Sequence, residues 1–171
     1  MSVAGTSRPD NRPWCSDMGL IIYIASSFSL IDRVSLIAER IENLGHTIAV
    51  KWWDRSWDIP GEGEVHTTDL KERYKDLDPD EFYNKPACKI AYESDVEGVK
   101  ACDVFLFVAG DEPRAYNGAN IELGIALGAG KPCYSIGTLA TSALYYAVYR
   151  CGDEGHFLRI LEVESQLKEA F

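Results

Sequence analysis

Three short runs constrain this chain more than any other feature. GLIIYIASSF (19–28) and DVFLFVAG (103–110) are apolar at successive positions and rich in β-branched and aromatic residues, and KPCYSIG (131–137) reads as a third strand of the same kind. A strand with one solvated face alternates; a strand apolar on both faces is covered on both. Helical patterns fall between the runs. In SLIDRVSLIAERIENLG, residues Leu30, Ile31, Val34, Ile37, Ala38 and Ile41 recur at helical spacing, and Gly45 is a natural stop. CKIAYESDVEGVKAC and NGANIELGIALGAG also read as helices. This alternation predicts a single α/β domain with a doubly wound parallel sheet of about five strands, flavodoxin-like or Rossmann-like.

The remaining boundaries follow from composition. Residues 1–18 (MSVAGTSRPDNRPWCSDM) read as a flexible polar tail, and residues 19–171 as the α/β domain. HTIAVKWW is expected to be the second strand. Residues 54–86 are charged, irregular and broken by Pro and Gly, with a short helix expected near Asp69 to Lys75; such an insertion is often a lid or binding loop. LYYAVYR is ambiguous, FLRILEV reads as a short last strand and ESQLKEAF as a closing helix.

Charge and cysteine usage exclude several functions. A formal net charge of −10 argues against binding a nucleic-acid polymer, which Lys and Arg drive, but not against a small nucleotide. The five cysteines show no CxxC and no ligand spacing with His46, His66 or His156, so neither metal nor cofactor is expected, and reduced thiols suit a cytoplasmic protein. No apolar run reaches membrane-spanning length.

In a doubly wound sheet, ligands bind at the carboxyl ends of the strands. That rule marks Ala25 to Phe28, Ala109 to Gly118 and Gly137 to Ser142. Glu122 lies just beyond the second of these, a single carboxylate among Ile121, Leu123, Gly124, Ile125, Ala126 and Leu127. It is either a helix-start acid favoured by the dipole or a carboxylate serving as nucleophile or stabiliser of positive charge. Asp95, on a predicted helix, reads by itself as a solvated helical acid, and Asp103 as a turn or strand-start residue. Ser26 and Ser27 either bond a substrate hydroxyl or phosphate, or cap the next helix. Tyr23, inside the first strand, carries a hydroxyl that needs a partner. Strand alternation would turn Trp52 and Trp53 to opposite faces, leaving one indole, taken as Trp53, free to stack on a nucleobase. Phe28, Tyr116, Asn117, Gly118 and Asn120 complete the expected substrate-binding set.

IIYIASSF, ESDVEGVKACDVFLFV and NGANIELGIALGAGKP, in this order, resemble the nucleoside 2-deoxyribosyltransferase family, including its 2′-deoxynucleoside 5′-phosphate N-hydrolase-like members. The most specific part is the E-L-G-x-A-L-x-x-G-K-P segment, supported by a D-x-x-G-[IV]-x-x-x-D block upstream. The resemblance implies that Glu122 attacks the anomeric carbon of a deoxyribosyl unit. It also implies that Asp95 assists proton transfer at the base, that Tyr23 holds the nucleophile and that Gly118 lets backbone approach the sugar. Tyr116 stands where some relatives carry an aspartate, and the first loop, ASSF, differs from the usual forms. The expected partner is a small nucleoside or nucleotide, and the chain is expected to self-associate. Two other readings stand beside this one: a glycohydrolase of NAD or another dinucleotide, similar to TIR-like proteins, and a nucleotide-binding sensor without turnover.

Overall fold

A computed structural model describes residues 19–73, 76–78, 80–81, 84–111, 116–140 and 143–170. The expected N-terminal tail, 1–18, lies outside these residues. The strands are β1 (Ile21–Ala25), β2 (Thr47–Ile48), β3 (Ser56–Ile59), β4 (Gly63–His66), β5 (Val104–Val108), β6 (Cys133–Ile136) and β7 (Tyr149–Arg150). The helices are α1 (Ile31–Asn43), α2 (Thr67–Arg73), α3 (Pro86–Ala101), α4 (Asn117–Gly128) and α5 (Glu154–Ala170). Five strands form one parallel sheet in the order β2-β1-β5-β6-β7, the flavodoxin-like arrangement expected from the alternation.

The apolar runs are buried because helices cover both faces. Ile22, Ile24, Phe105, Leu106, Phe107 and Ile136 are all at or near zero exposure. On one face α1 packs Val34, Ile37, Ala38 and Ile41 inward, next to α5, to which it is joined by Arg33 and Arg40 through Glu154. On the other face lie α3 and α4, which contact each other and β1. The chain leaves β1 toward β2 and returns on the other side of it to β5, so the switch point of the sheet lies between β1 and β5. Asp103 accepts from the Ile21 amide at 2.8 Å and ties the starts of these two strands together, at the end of the sheet away from the switch-point crevice.

Several elements depart from expectation or resolve what the sequence left open. The second strand is only two residues long; after Ala49 donates to the Ile22 carbonyl, a turn with Asp54 N–H bonding to the Lys51 carbonyl takes over. Trp52 and Trp53 sit in this turn, so strand alternation does not apply and both are buried. The 54–86 insertion is more ordered than its composition suggests. β3 and β4 make an antiparallel hairpin, α2 follows, and Trp57, Ile59, Val65 and Ala87 form an apolar cluster of their own. The short helix expected near 69–75 is α2, displaced two residues toward the N-terminus, with 74 and 75 outside the described residues. LYYAVYR resolves into a 3₁₀ turn (Ala143–Ala147) and the edge strand β7. Tyr145 fills the core, whereas Tyr146 is 96% exposed.

FLRILEV is not a strand but the first half of α5. Asp153 starts this helix, its carboxylate accepting from the His156 amide at 2.7 Å. Phe157 and Leu161, one turn apart, are both fully buried, so the run meets the sheet with a helical stripe. Among the described residues, no helix is long and apolar enough to cross a membrane.

Candidate active site

A cleft of about 370 Å³ opens at the carboxyl end of β1, beside the switch point. Its lining comes from the β1 loop (Ser26, Ser27, Phe28), the turn after β2 (Trp52), the hairpin region (Trp57, Thr67), α3 (Ala91, Asp95) and the start of α4 (Tyr116, Asn117, Gly118, Ala119, Glu122).

Tyr23 lies beneath this cleft at zero exposure, its ring stacked on Phe105 at 5.8 Å between centroids and 11° between planes. Gly98 lets α3 lie close against that ring. A Cβ at Gly98 would fall 2.4 Å from Val50 Cγ2 and 3.2 Å from the Tyr23 ring. Asp95 is one turn earlier on the same helix face, and so reaches the Tyr23 hydroxyl. Glu122 approaches the same hydroxyl from the second turn of α4. Three of the residues that the resemblance singles out are thus brought together by three separate elements.

Their electrostatics are those of a half-buried acid pair. Burial, reinforced by the charge of Asp95, pushes the Glu122 carboxyl up to about 8, against a smaller opposing effect of the Tyr23 hydroxyl. Burial pushes Asp95 up to about 6, with the Tyr23 hydroxyl and the Arg55 charge working in the opposite direction. The Tyr23 hydroxyl is held neutral, first by burial and then by the two carboxylates. Both carboxylates act on that hydroxyl, yet neither meets it with the alignment of a full hydrogen bond; Tyr23 Oη and Asp95 Oδ1 are buried without an aligned partner. Such groups are costly unless something completes them. Between about pH 6 and 8 the pair carries one proton, and titrates as a unit.

The other expected residues divide. Ser26 donates to the Val108 carbonyl at 2.8 Å, and so joins β1 to β5 at the cleft floor. Ser27 caps the short 3₁₀ turn Phe28–Leu30, its hydroxyl accepting from the Ser29 amide. Phe28 is 44% exposed and meets Trp52 edge-on at 5.4 Å. Tyr116 lines the cleft and its hydroxyl accepts from the Gly110 amide at 2.6 Å, which closes the β5–α4 connection onto itself. Asn117 and Gly118 line the cleft, and a Cβ at Gly118 would meet nothing within 4 Å.

Two residues are placed elsewhere. Trp53 is outside the lining, packed edge-on behind Trp52 at 5.4 Å. Asn120 points away from the cleft and accepts from the Tyr145 hydroxyl at 2.7 Å. The indoles in the lining are Trp52, which donates to the Ile24 carbonyl at 2.7 Å, and Trp57, which donates to Thr67 Oγ1 at 2.9 Å. Trp57 and Thr67 were not among the expected residues; the only signal for Trp57 was its place in the KWWDRSWD cluster. Among the described residues, no group of three or more His, Cys, Asp or Glu side chains is placed to hold a metal ion.

A parallel sheet with a cleft at its switch point and an acid pair in that cleft defines the general class: a flavodoxin-like α/β protein with a small-molecule-sized site. No protein-family profile and no curated protein matches the chain. Among solved structures it is similar to a 2-deoxyribosyltransferase from the psychrotolerant bacterium Bacillus psychrosaccharolyticus, at 19% identity and a TM-score of 0.51, over 80% of this chain and 89% of that one. It is also similar to the Clostridium botulinum CMP N-glycosidase BcmB, at 18% identity and a TM-score of 0.44, over 84% of this chain and 98% of that one. At such identity the likeness is one of fold. The kind of enzyme that the sequence motifs resemble therefore also stands among the structural neighbours.

Proposed function

We propose that this protein breaks the N-glycosidic bond of a deoxynucleoside, nucleoside or nucleoside monophosphate, with Glu122 as nucleophile. The observation that carries this reading is the Glu122–Tyr23–Asp95 group, a half-buried acid pair around one neutral hydroxyl, open to a cleft with aromatic walls. Cleavage builds oxocarbenium character at the anomeric carbon, which a carboxylate stabilises or traps. The departing base needs a proton, which a carboxyl of raised pKa supplies.

The single proton of the pair serves both needs. In the empty cleft it favours Glu122, whose carboxyl is the weaker acid. A base nitrogen hydrogen-bonded to Asp95 draws the proton to Asp95, and the Tyr23 hydroxyl between the two carboxylates offers the path. Glu122, now ionised, bonds to the anomeric carbon as the bond to the base breaks. The bonding pair leaves with the base nitrogen, which takes the proton of Asp95. Water or a second base, giving a proton to the Asp95 carboxylate, then attacks the anomeric carbon as the ester bond to Glu122 breaks, which frees the Glu122 carboxylate and leaves the pair with one proton again. Trp52, Trp57 and Phe28 supply the apolar surface against which a base stacks.

Chromatography of the protein with a panel of nucleosides, nucleotides and NAD, with and without an acceptor base, tests this. Base release or exchange is expected, lost at least about a thousandfold in Glu122→Gln with the fold intact. Release of nicotinamide from NAD alone would identify a dinucleotide glycohydrolase. Ligand binding that survives Glu122→Gln, with no product from any compound, would identify a sensor and overturn the proposal.

A further inference from the structure

The hairpin region supplies more than a wall. Arg55, just before β3, is exposed, with its guanidinium 4.3 Å above the Trp57 ring. Its Nη1 donates to the Ser94 hydroxyl, on the residue that precedes Asp95 in α3. Its carbonyl accepts from the Thr67 amide at 2.8 Å and from the Thr67 hydroxyl at 2.9 Å. One residue therefore touches both hairpin-side members of the cleft lining, Trp57 and Thr67, and reaches across to the helix that carries Asp95. A guanidinium suits this double duty: its planar face stacks on the indole while its edge donates.

We infer that Arg55 is a positioning residue of the acid pair, fastening the hairpin wall to α3 and laying a fixed positive charge on the Asp95 side of the cleft. The inference rests on the proposed glycosidic chemistry for its purpose, but not for its test. Among the described residues, the charged and titratable groups that face Asp95 are Tyr23 from β1, Glu122 from α4 and Arg55 from the segment before β3. Of these, Arg55 alone favours the ionised form by charge. Among the described residues, no cation acts on Glu122 in this way. Arg55 thus adds to the inequality of the two carboxyls: it lowers the Asp95 side and so favours the shared proton on Glu122 until substrate arrives. Without it, the two carboxyls draw together and the interval in which the pair holds one proton narrows from its acid side.

The test is a substrate-free titration of the protein labelled with ¹³C at the aspartate carboxyls, with Asp95→Asn to assign the signal. In Arg55→Gln the Asp95 midpoint should move upward, and Arg55→Lys, which keeps the charge, should restore most of the difference. In the wild type, raising the salt concentration should move the midpoint the same way, since an exposed charge is screened. If turnover is found, the acid limb of the kcat/KM profile should follow the same displacement in Arg55→Gln. An Asp95 midpoint unchanged in Arg55→Gln, or equally displaced in Arg55→Lys, overturns the inference. Should Arg55→Gln fail to fold, the Lys variant and the wild-type salt series decide. Absence of any turnover would count against the glycosidic reading, while the titration would still settle the role of Arg55.

Discussion

Glu122→Gln should make the protein more stable, and only above a defined pH. An acid whose folded pKa is raised is protonated in the native state where the unfolded chain is already ionised. The native state then binds more protons, so stability falls as pH rises through this interval. For Glu122 the interval runs from its ordinary 4.5 to about 8. At roughly 1.4 kcal/mol per pH unit the full span corresponds to about 5 kcal/mol of destabilisation, reached above pH 8. Part of this push comes from the ionised Asp95 and belongs to the pair, so about 3 kcal/mol is the reasonable expectation for one substitution. Gln keeps the shape and carries no charge. Urea unfolding of the wild type and Glu122→Gln should give equal stability near pH 4, a divergence that grows from about pH 5, and a plateau of about 3 kcal/mol in favour of the variant above pH 8. A variant no more stable than the wild type at pH 8.5, or a difference independent of pH, would refute the claim that this carboxyl is held in a charge-hostile site.

Activity, if glycosidic, should follow a bell-shaped kcat/KM profile with limbs near pH 6 and pH 8, since below the first neither carboxyl is ionised and above the second neither holds a proton; steady-state rates across a buffer series check it. Gly137→Ala should cost about 2–4 kcal/mol in the same unfolding assay, because Gly137 adopts φ +90° and a Cβ there would lie 2.2 Å from the Ala109 carbonyl oxygen, which Arg33 already holds at 3.0 Å.

Part of the Glu122–Tyr23–Asp95 group was legible in local sequence pattern. Glu122 stands out as a charge in an apolar helix beside a loop that the strand-end rule marks, and Tyr23 as a hydroxyl in a buried strand; Asp95, one acid among several on α3, was marked only by the family resemblance. What failed did so where local pattern and tertiary context part. Alternation was extended past the two paired residues of β2, and so Trp53 was set in the cleft where Trp52 belongs. Asn120 shares the α4 start with Asn117 but falls on another side of the helix, beside Tyr145. FLRILEV has strand-like composition, but Phe157 and Leu161 meet the sheet at helical spacing. The hairpin was hidden because its strands are four residues each and alternate only briefly. Arg55 left no trace in the sequence, since its role arises from contacts with residues 39 and more positions away on α3.

The cleft draws on residues from position 26 to position 122, contributed by the sheet, the hairpin and both helices of one face. No short fragment contains it, so it exists only once the long-range pairings of β1 with β5 are in place. Occupancy and cooperative unfolding are then one equilibrium seen from two sides: whatever fills this crevice should raise the melting temperature of the entire molecule rather than rigidify a part, and a thermal-shift screen is a direct way to search for it.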